Sequence, residues 1–362
     1  MNNKFRNNPE LKPLLQKIKN VIATLDGKAL PLKFMEVCGT HTVSILKFGF
    51  RHYFKDSIKF LSGPGCPVCV TSAHDVDKII YLAQQGNHLV TFGDLIKVPG
   101  THSSLEREIA KGATVDVVYS PLDTIKIASN TKKEVIFIAI GFETTIPVIA
   151  GLVLDAYAQQ INNVSILCLV KTMPNVLRFL LSQLKGEIDG MIMPGHVSVI
   201  IGSEPYEFVP QEYGIPCAIA GFEPVDLGLG IQTLVAQISS RDPKVDNRYT
   251  RMVRSEGNRA AQELISAVFQ ECDVSWRGFG TIPKSGLCLN EEFSFFDAEK
   301  RFRIKVKDEV VQSACICGDI IAGRKSPLDC TLFRKNCTPE NPIGPCMVSF
   351  EGACAAYYKY GE

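Results

Sequence analysis

Thirteen cysteines stand in a chain of 362 residues, and nine fall into two groups whose spacing bears on chemistry. Cys66-Pro67-Val68-Cys69 sets two thiols three residues apart behind Gly63-Pro64-Gly65. A C-x-x-C at a turn closes a disulfide, supplies two metal ligands, or presents a thiolate steadied by a helix start. The bland alternative is two buried cysteines, which so rigid a loop disfavours. Cys38, in Val37-Cys38-Gly39-Thr40-His41-Thr42, is a candidate thiolate assisted by the His41 imidazole, or equally a small core residue. Glu143, within Gly141-Phe142-Glu143-Thr144-Thr145, and His196, within Pro194-Gly195-His196-Val197-Ser198, are candidate proton carriers facing the thiols. Helix capping is the competing role for both. Asp94, after Gly93, ranks below them.

The second group is the tail. Cys315, Cys317, Cys330, Cys337, Cys346 and Cys354 fall in the last fifty residues, as C-x-C, C-x12-C, C-x6-C, C-x8-C and C-x7-C. Four thiolates suit zinc or an iron–sulfur cluster on ligand count. No two-residue knuckle spacing and no histidine occurs among them; the spread suits a cube-shaped cluster held by several loops, with zinc as the rival. The remaining Cys168, Cys217, Cys272 and Cys288 are scattered and are not expected to be ligands.

The elements that position these residues follow from periodicity. Short apolar runs at 33–37, 58–61, 88–92 and 114–119 read as strands, and so do 135–140, 164–170, 190–193 and 217–220. Helical patterns alternate with them, which implies parallel-sheet α/β units. The motif loops all follow strands, on the edge where open α/β sheets bind ligands. We expect two Rossmann-like parallel-sheet α/β domains, residues 1–132 and 133–240, with polar loops facing across a cleft. A smaller C-terminal iron–sulfur domain, 241–362, completes the division. Within it, 241–249 reads as a linker, 251–270 as an amphipathic helix, the stretch up to Cys288 as Gly/Pro-rich, and 301–307 as an exposed strand. A tail so poor in aliphatics needs a metal staple.

Composition narrows the class. Hydrophobic residues make up 46% and charged residues 21%, which describes an ordered globular chain. The formal net charge of +1 gives no bulk attraction to nucleic acid or anionic membrane, and neither is expected as a partner. The polar start, Met1 to Glu10, lacks an apolar signal core, and no apolar run is long enough to span a bilayer. A cytoplasmic location is expected, where many cysteines mean metal or redox chemistry. No G-x-x-x-x-G-K-[ST] run occurs, so there is no P-loop.

The segments FMEVCGTHT, GPGCPVCVT, GFETT, MPGHVS, AGFEPVD and CICGDIIAG…CTLFRKNCTP…GPCMVSFEGACAAYYKY together resemble the HypD family of hydrogenase maturation proteins, from about Lys33 to Tyr360. The resemblance implies a scaffold with a redox role, not a conventional turnover enzyme. With the small chaperone HypC and the cyanide donor HypE, it would build the Fe(CN)2CO unit of NiFe hydrogenases. It implies that Cys38 holds the transient iron beside Cys66 and Cys69. It further implies a 4Fe-4S cluster on Cys317, Cys330, Cys337 and Cys354, with Cys315 and Cys346 as a redox pair. Two other functions compete: a cluster-dependent thiol-disulfide oxidoreductase acting on an external substrate, and a zinc-stabilised interaction protein.

Overall fold

The computed structural model describes residues 9–25, 27–307 and 314–361. Eleven strands form in these residues: β1 Leu32–Glu36, β2 Ile58–Ser62, β3 His88–Thr91, β4 Val115–Val117, β5 Val135–Ala139, β6 Val164–Cys168, β7 Gly190–Met193, β8 Cys217–Ile219, β9 Val245–Asn247, β10 Phe269–Trp276 and β11 Gly280–Leu289. They make a five-stranded sheet of order β2-β1-β7-β8-β9, a four-stranded sheet of order β4-β3-β5-β6, and the hairpin β10-β11. Both larger sheets are parallel throughout, and the hairpin is antiparallel. The chain is therefore α/β, as the alternation of runs predicted.

The interior strands read as continuous apolar runs because both their faces are covered. Ile136 and Ile138 of β5 share a central core with Met35 of β1, Met191 and Met193 of β7, and Leu167 of β6. That core joins the two sheets. Val135, Phe137 and Ala139, on the other face of β5, pack into a second core under helix Ile146–Ala158. Leu32 and Phe34 of β1 face a third, covered by helices Leu11–Ala23 and Pro224–Ser240.

Each large sheet starts with two neighbouring strands, then adds later ones on the other side of the first. The order therefore reverses between β1 and β7 in one sheet, and between β3 and β5 in the other. Ligands of open α/β sheets sit at such reversals.

The expected division along the chain is corrected in three places. β3 pairs with β5, so a boundary at 132 would run through the four-stranded sheet. β1 pairs with β2 on one side and with the much later β7 on the other, Phe34 opposite Gly190, so each half of the sequence feeds the five-stranded sheet. β9, placed in the expected linker, completes that sheet by pairing with β8. Periodicity marks a strand but carries nothing about its neighbour, which is decided by packing between the sheets. Further along, the helix expected over 251–270 spans only Arg259–Val268, because Gly257 takes φ +73° and Asn258 caps Ala261 through its side chain. Residues 303–307 form no strand; the helix Ala298–Phe302 ends at Arg303 in the left-handed region. The Gly/Pro-rich stretch proves to be the hairpin β10-β11, with a register shift between Cys272 and Val274.

Candidate functional site

Cys38 and the C-x-x-C turn leave neighbouring strands. β1 and β2 are in register from Leu32↔Ile58 to Glu36↔Ser62, so the chain segments that follow emerge side by side. The Gly63 amide donates to the Glu36 carbonyl at 2.8 Å, and the Gly39 amide to the Gly65 carbonyl at 3.0 Å. Gly65 lies so close that a Cβ there would sit 2.4 Å from the Cys38 nitrogen. Only glycine lets the two turns touch.

Cys66 and Cys69 are disulfide-bonded, with Cα atoms 5.2 Å apart. Pro67 opens the short helix Pro67–Val70, where a missing N–H costs nothing. The Cys69 amide donates to Cys66 Sγ at 3.2 Å. Beyond this helix, the Arg277 amide of the hairpin turn donates to the Val70 carbonyl at 2.8 Å.

Cys38 takes the N-cap position of helix Gly39–Lys47. Burial nevertheless pushes its thiol up to about 12, and the nearby Glu351 charge adds to the effect. Desolvation outweighs the helix start, so Cys38 rests as a thiol rather than the expected thiolate. His41 Nε2 lies 3.1 Å from both the Ala220 and Gly221 carbonyls. Nε2 must carry the proton, which leaves a lone pair on Nδ1. Nδ1 has no hydrogen-bond partner among the described residues, and burial holds the imidazole down to about 4. The His41 and His196 rings lie 4.6 Å and 4.0 Å from the Phe222 ring. His196 itself is exposed, so it joins this wall through stacking.

Glu143 comes from the other sheet, after β5. It is 3% exposed; Oε1 accepts from the Met173 amide at 2.7 Å, while Oε2 has no partner among the described residues. Burial lifts its carboxyl to about 7. The buried Tyr206 hydroxyl is raised by desolvation first, then by the charges of Glu143 and Cys38. Tyr206 thus senses both.

Three buried or tying residues were given no role by the sequence: Glu36, Glu351 and Lys171, the last marked only as part of a loop after a strand. Glu36, 2% exposed, accepts from Thr42 Oγ1 at 2.7 Å, and burial raises its carboxyl to about 8. The one available signal was an acid closing the apolar run FME. Glu351 receives Thr40 Oγ1 at 2.7 Å and ties the tail to the CGT turn. Lys171 is 1% exposed, with Nζ 3.9 Å from Asp75 and 5.7 Å from the Trp276 ring centre. Burial lowers its pKa.

The tail cysteines gather against the C-x-x-C helix. Helices Cys317–Ile321 and Pro345–Val348 both contact Pro67–Val70. Cys315, Cys317, Cys330, Cys337 and Cys354 line one small cavity, together with Leu332 and Phe333. Cys346 is fully buried and is not part of that lining. Cys315 Sγ is 3.1 Å from Cys317 Sγ, and neither Cys315 nor Cys346 is disulfide-bonded. Cys317 is the hub: hydrogen bonds from the thiols of Cys315, then Cys346 and Cys354, hold it well below the ordinary thiol range. Among the described residues no group of three or more His, Cys, Asp or Glu stands in position to hold one ion. The all-sulfur donor set fits a thiolate-held cluster, or zinc, in ligand type and number.

The site thus sets a disulfide turn after a strand of a parallel sheet against a cavity lined by cysteines. Comparison with known proteins makes this specific. Residues 11–361 match the family HypD, described as "Hydrogenase formation hypA family". The chain is 43% identical over 339 residues to hydrogenase maturation factor HypD of Cupriavidus necator, covering 91% of this chain and 89% of that one. It is 40% identical over 365 residues to HypD of Rhodobacter capsulatus, covering 99% and 97%. The Escherichia coli HypD is 41% identical over 335 residues, covering 92% and 90%. The chain belongs to the HypD family of hydrogenase maturation factors.

Proposed function

We propose that this protein is the cytoplasmic scaffold on which, with HypC and HypE, the Fe(CN)2CO unit of NiFe hydrogenases is assembled. No described helix is long and apolar enough to cross a membrane. The reading rests on one juxtaposition: Cys38 touches the turn of a dithiol that itself packs on the tail cysteines. Low-spin iron carrying cyanide and carbonyl needs soft thiolate anchors. Cys38 would supply one when the entering cation displaces its thiol proton, and the Nδ1 lone pair of the neutral His41, on the helix that Cys38 caps, is the base in that turn that would take it. His196 and Phe222 wall the site.

Cys66 and Cys69 are the proposed electron store. Reduction adds two electrons and two protons to the S–S bond and leaves two thiols; re-forming the disulfide passes the two electrons on to the iron unit and releases the two protons to solvent. A 4Fe-4S cluster bound in the tail would supply electrons singly. Cys317, Cys330, Cys337 and Cys354 all line the cavity and are the proposed ligands. Cys315, which also lines it, and Cys346, buried outside its lining, are, as the family resemblance implies, the proposed redox pair beside the cluster. On this reading the strand-end turns of the two sheets would face one cleft, and the tail would serve as an iron–sulfur domain.

The test is Cys38→Ser, purified as the complex with HypC. The fold and the Cys66–Cys69 disulfide should persist while infrared bands of Fe–CN and Fe–CO disappear. Unchanged bands would remove Cys38 from the iron site.

A further inference from the structure

The two parallel sheets share one topology, yet only one reversal point carries the cysteine chemistry. The reversal between β1 and β7 holds the Cys38 and His196 turns. The reversal between β3 and β5 holds no cysteine of its own; it opens instead into a cavity of about 700 Å³. That volume lies within the range of small-molecule sites, and the position is where such sheets bind ligands.

The lining defines what would fit. Thr91 and Val118 form its floor at the ends of β3 and β4, and Phe92, Tyr119 and Phe350 contribute aromatic rings. Phe92 is fixed by an edge contact with Phe137, centroids 5.6 Å apart. Tyr119 and Phe350 stand 100% and 74% exposed at the rim, two aromatic side chains left to solvent that a bound flat ring would cover. The polar groups are the Asp94 carboxyl and the hydroxyls of Ser120, Thr144 and Thr145. None of the lining residues is Lys, Arg or His. A ligand carrying several phosphates would meet Asp94 with no cation to offset it.

We infer that the β3/β5 cavity binds a ribonucleoside-class ligand, a flat heteroaromatic ring bearing a vicinal diol, through its aromatic rim and the Asp94 carboxyl. The ring stacks on Tyr119 and Phe350, which every base face allows. The diol donates to Asp94, the role an acid at a strand end plays toward ribose in doubly wound sheets. Phosphate contributes nothing to affinity, in keeping with the absence of a P-loop. The cavity also reaches Pro67 and Val68, so an occupied site would press on the dithiol turn. The inference stands apart from the iron-assembly reading and uses none of its residues for binding.

The experiment is calorimetry on the full chain with adenosine, guanosine, cytidine and uridine, each beside its 2′-deoxy form and its 5′-triphosphate. At least one ribonucleoside should bind with 1:1 stoichiometry. Its deoxy form should bind about tenfold more weakly, as the loss of a hydrogen bond to a charged group predicts. Asp94→Asn, which keeps shape, and Tyr119→Ala, at a fully exposed position, should each weaken binding by a similar factor while circular dichroism stays unchanged. Saturable binding by none of the four, a triphosphate binding more tightly than its nucleoside, or affinity indifferent to both substitutions would each overturn the proposal.

Discussion

Cys66 caps and Cys69 lies in the short helix Pro67–Val70 against which the tail helices pack, yet the two regions are held by different means. The strand-end turns are fixed by backbone. Parallel strands in register set their starting points, and amide–carbonyl bonds of 2.8 and 3.0 Å join them. The tail from Cys315 onward has only short helices, and its sulfurs are gathered by contact with one another and with the C-x-x-C helix. The first arrangement is complete without a ligand, because hydrogen bonds already specify it. The second leaves several thiols sharing hydrogen bonds with Cys317, an order that a bound metal centre would replace with stronger bonds. Position at a sheet edge and position around a cluster are therefore separable, and substitutions can separate them.

The largest effect should come from Gly65→Ala. Its Cβ would lie 2.4 Å from Cys38 N and 2.6 Å from Val37 C, both backbone atoms that cannot rotate away. Overpacking of this kind costs about 1–3 kcal/mol, occasionally more. Urea unfolding should show a lower midpoint, and the two turns should separate. Wild-type stability in that variant would mean that the contact between the turns is loose.

Next comes Cys317→Ala, which removes the sulfur that Cys315, Cys346 and Cys354 all address. Iron and acid-labile sulfide content should fall to background, and the tail should become sensitive to protease. The sheets should hold, since none of their strands includes the tail. Full cluster content would show that another thiol, Cys315 foremost, takes the fourth ligand position.

How far the sequence foretold this contrast depends on what each feature leaves in one dimension. The eight strands expected from apolar runs exist, because buried parallel strands such as Val135–Ala139 are unbroken apolar runs; the ninth, read over 301–307 from alternation alone, does not form. Their partners were not legible: β1 meeting β7 is a choice between equally apolar edges. The turns at Cys38, Cys66 and Glu143 were legible because glycine, proline and reactive side chains coincide after strands. Glu36 was not, since its chemistry comes from burial, which a single acid beside FM does not announce. The cysteine count marked the tail, and its gathering on Pro67–Val70 arises from packing alone.

Cys66→Ala and Cys69→Ala give the third contrast. A bonded pair is one unit, so each single variant and the double variant should lose maturation activity alike. Two independent iron ligands would show losses that accumulate. Trapping thiols before and after reduction should also show both sulfurs changing state together in the parent chain.

The smallest effect at neutral pH belongs to Glu143→Gln, and it probes whether the strand-end region draws stability from its own buried acids. Burial raises the Glu143 carboxyl from 4.5 to about 7. Between those values the folded chain keeps a proton that the unfolded chain has released. The stability from this group is therefore full below about pH 4.5 and is lost as pH rises towards 7, a span on the order of 3 kcal/mol. Glu36 acts with the same sign, up to about 8, so the parent chain should lose stability steeply across neutral pH. Glutamine keeps an oxygen for the Met173 amide that donates to Glu143 Oε1 at 2.7 Å and never ionises. The variant should show a shallower fall in urea midpoint from pH 5 to pH 7, the remaining slope being set by Glu36 against His41, whose imidazole, held down to about 4, acts with the opposite sign below 6.5. Repeating the series in the Cys317→Ala background should give the same difference, because the acid belongs to β5 and not to the tail. A slope unchanged by Glu143→Gln would mean that water or a counter-charge reaches the carboxyl. A slope altered only when Cys317 is lost would mean that the two regions share one energetic unit after all.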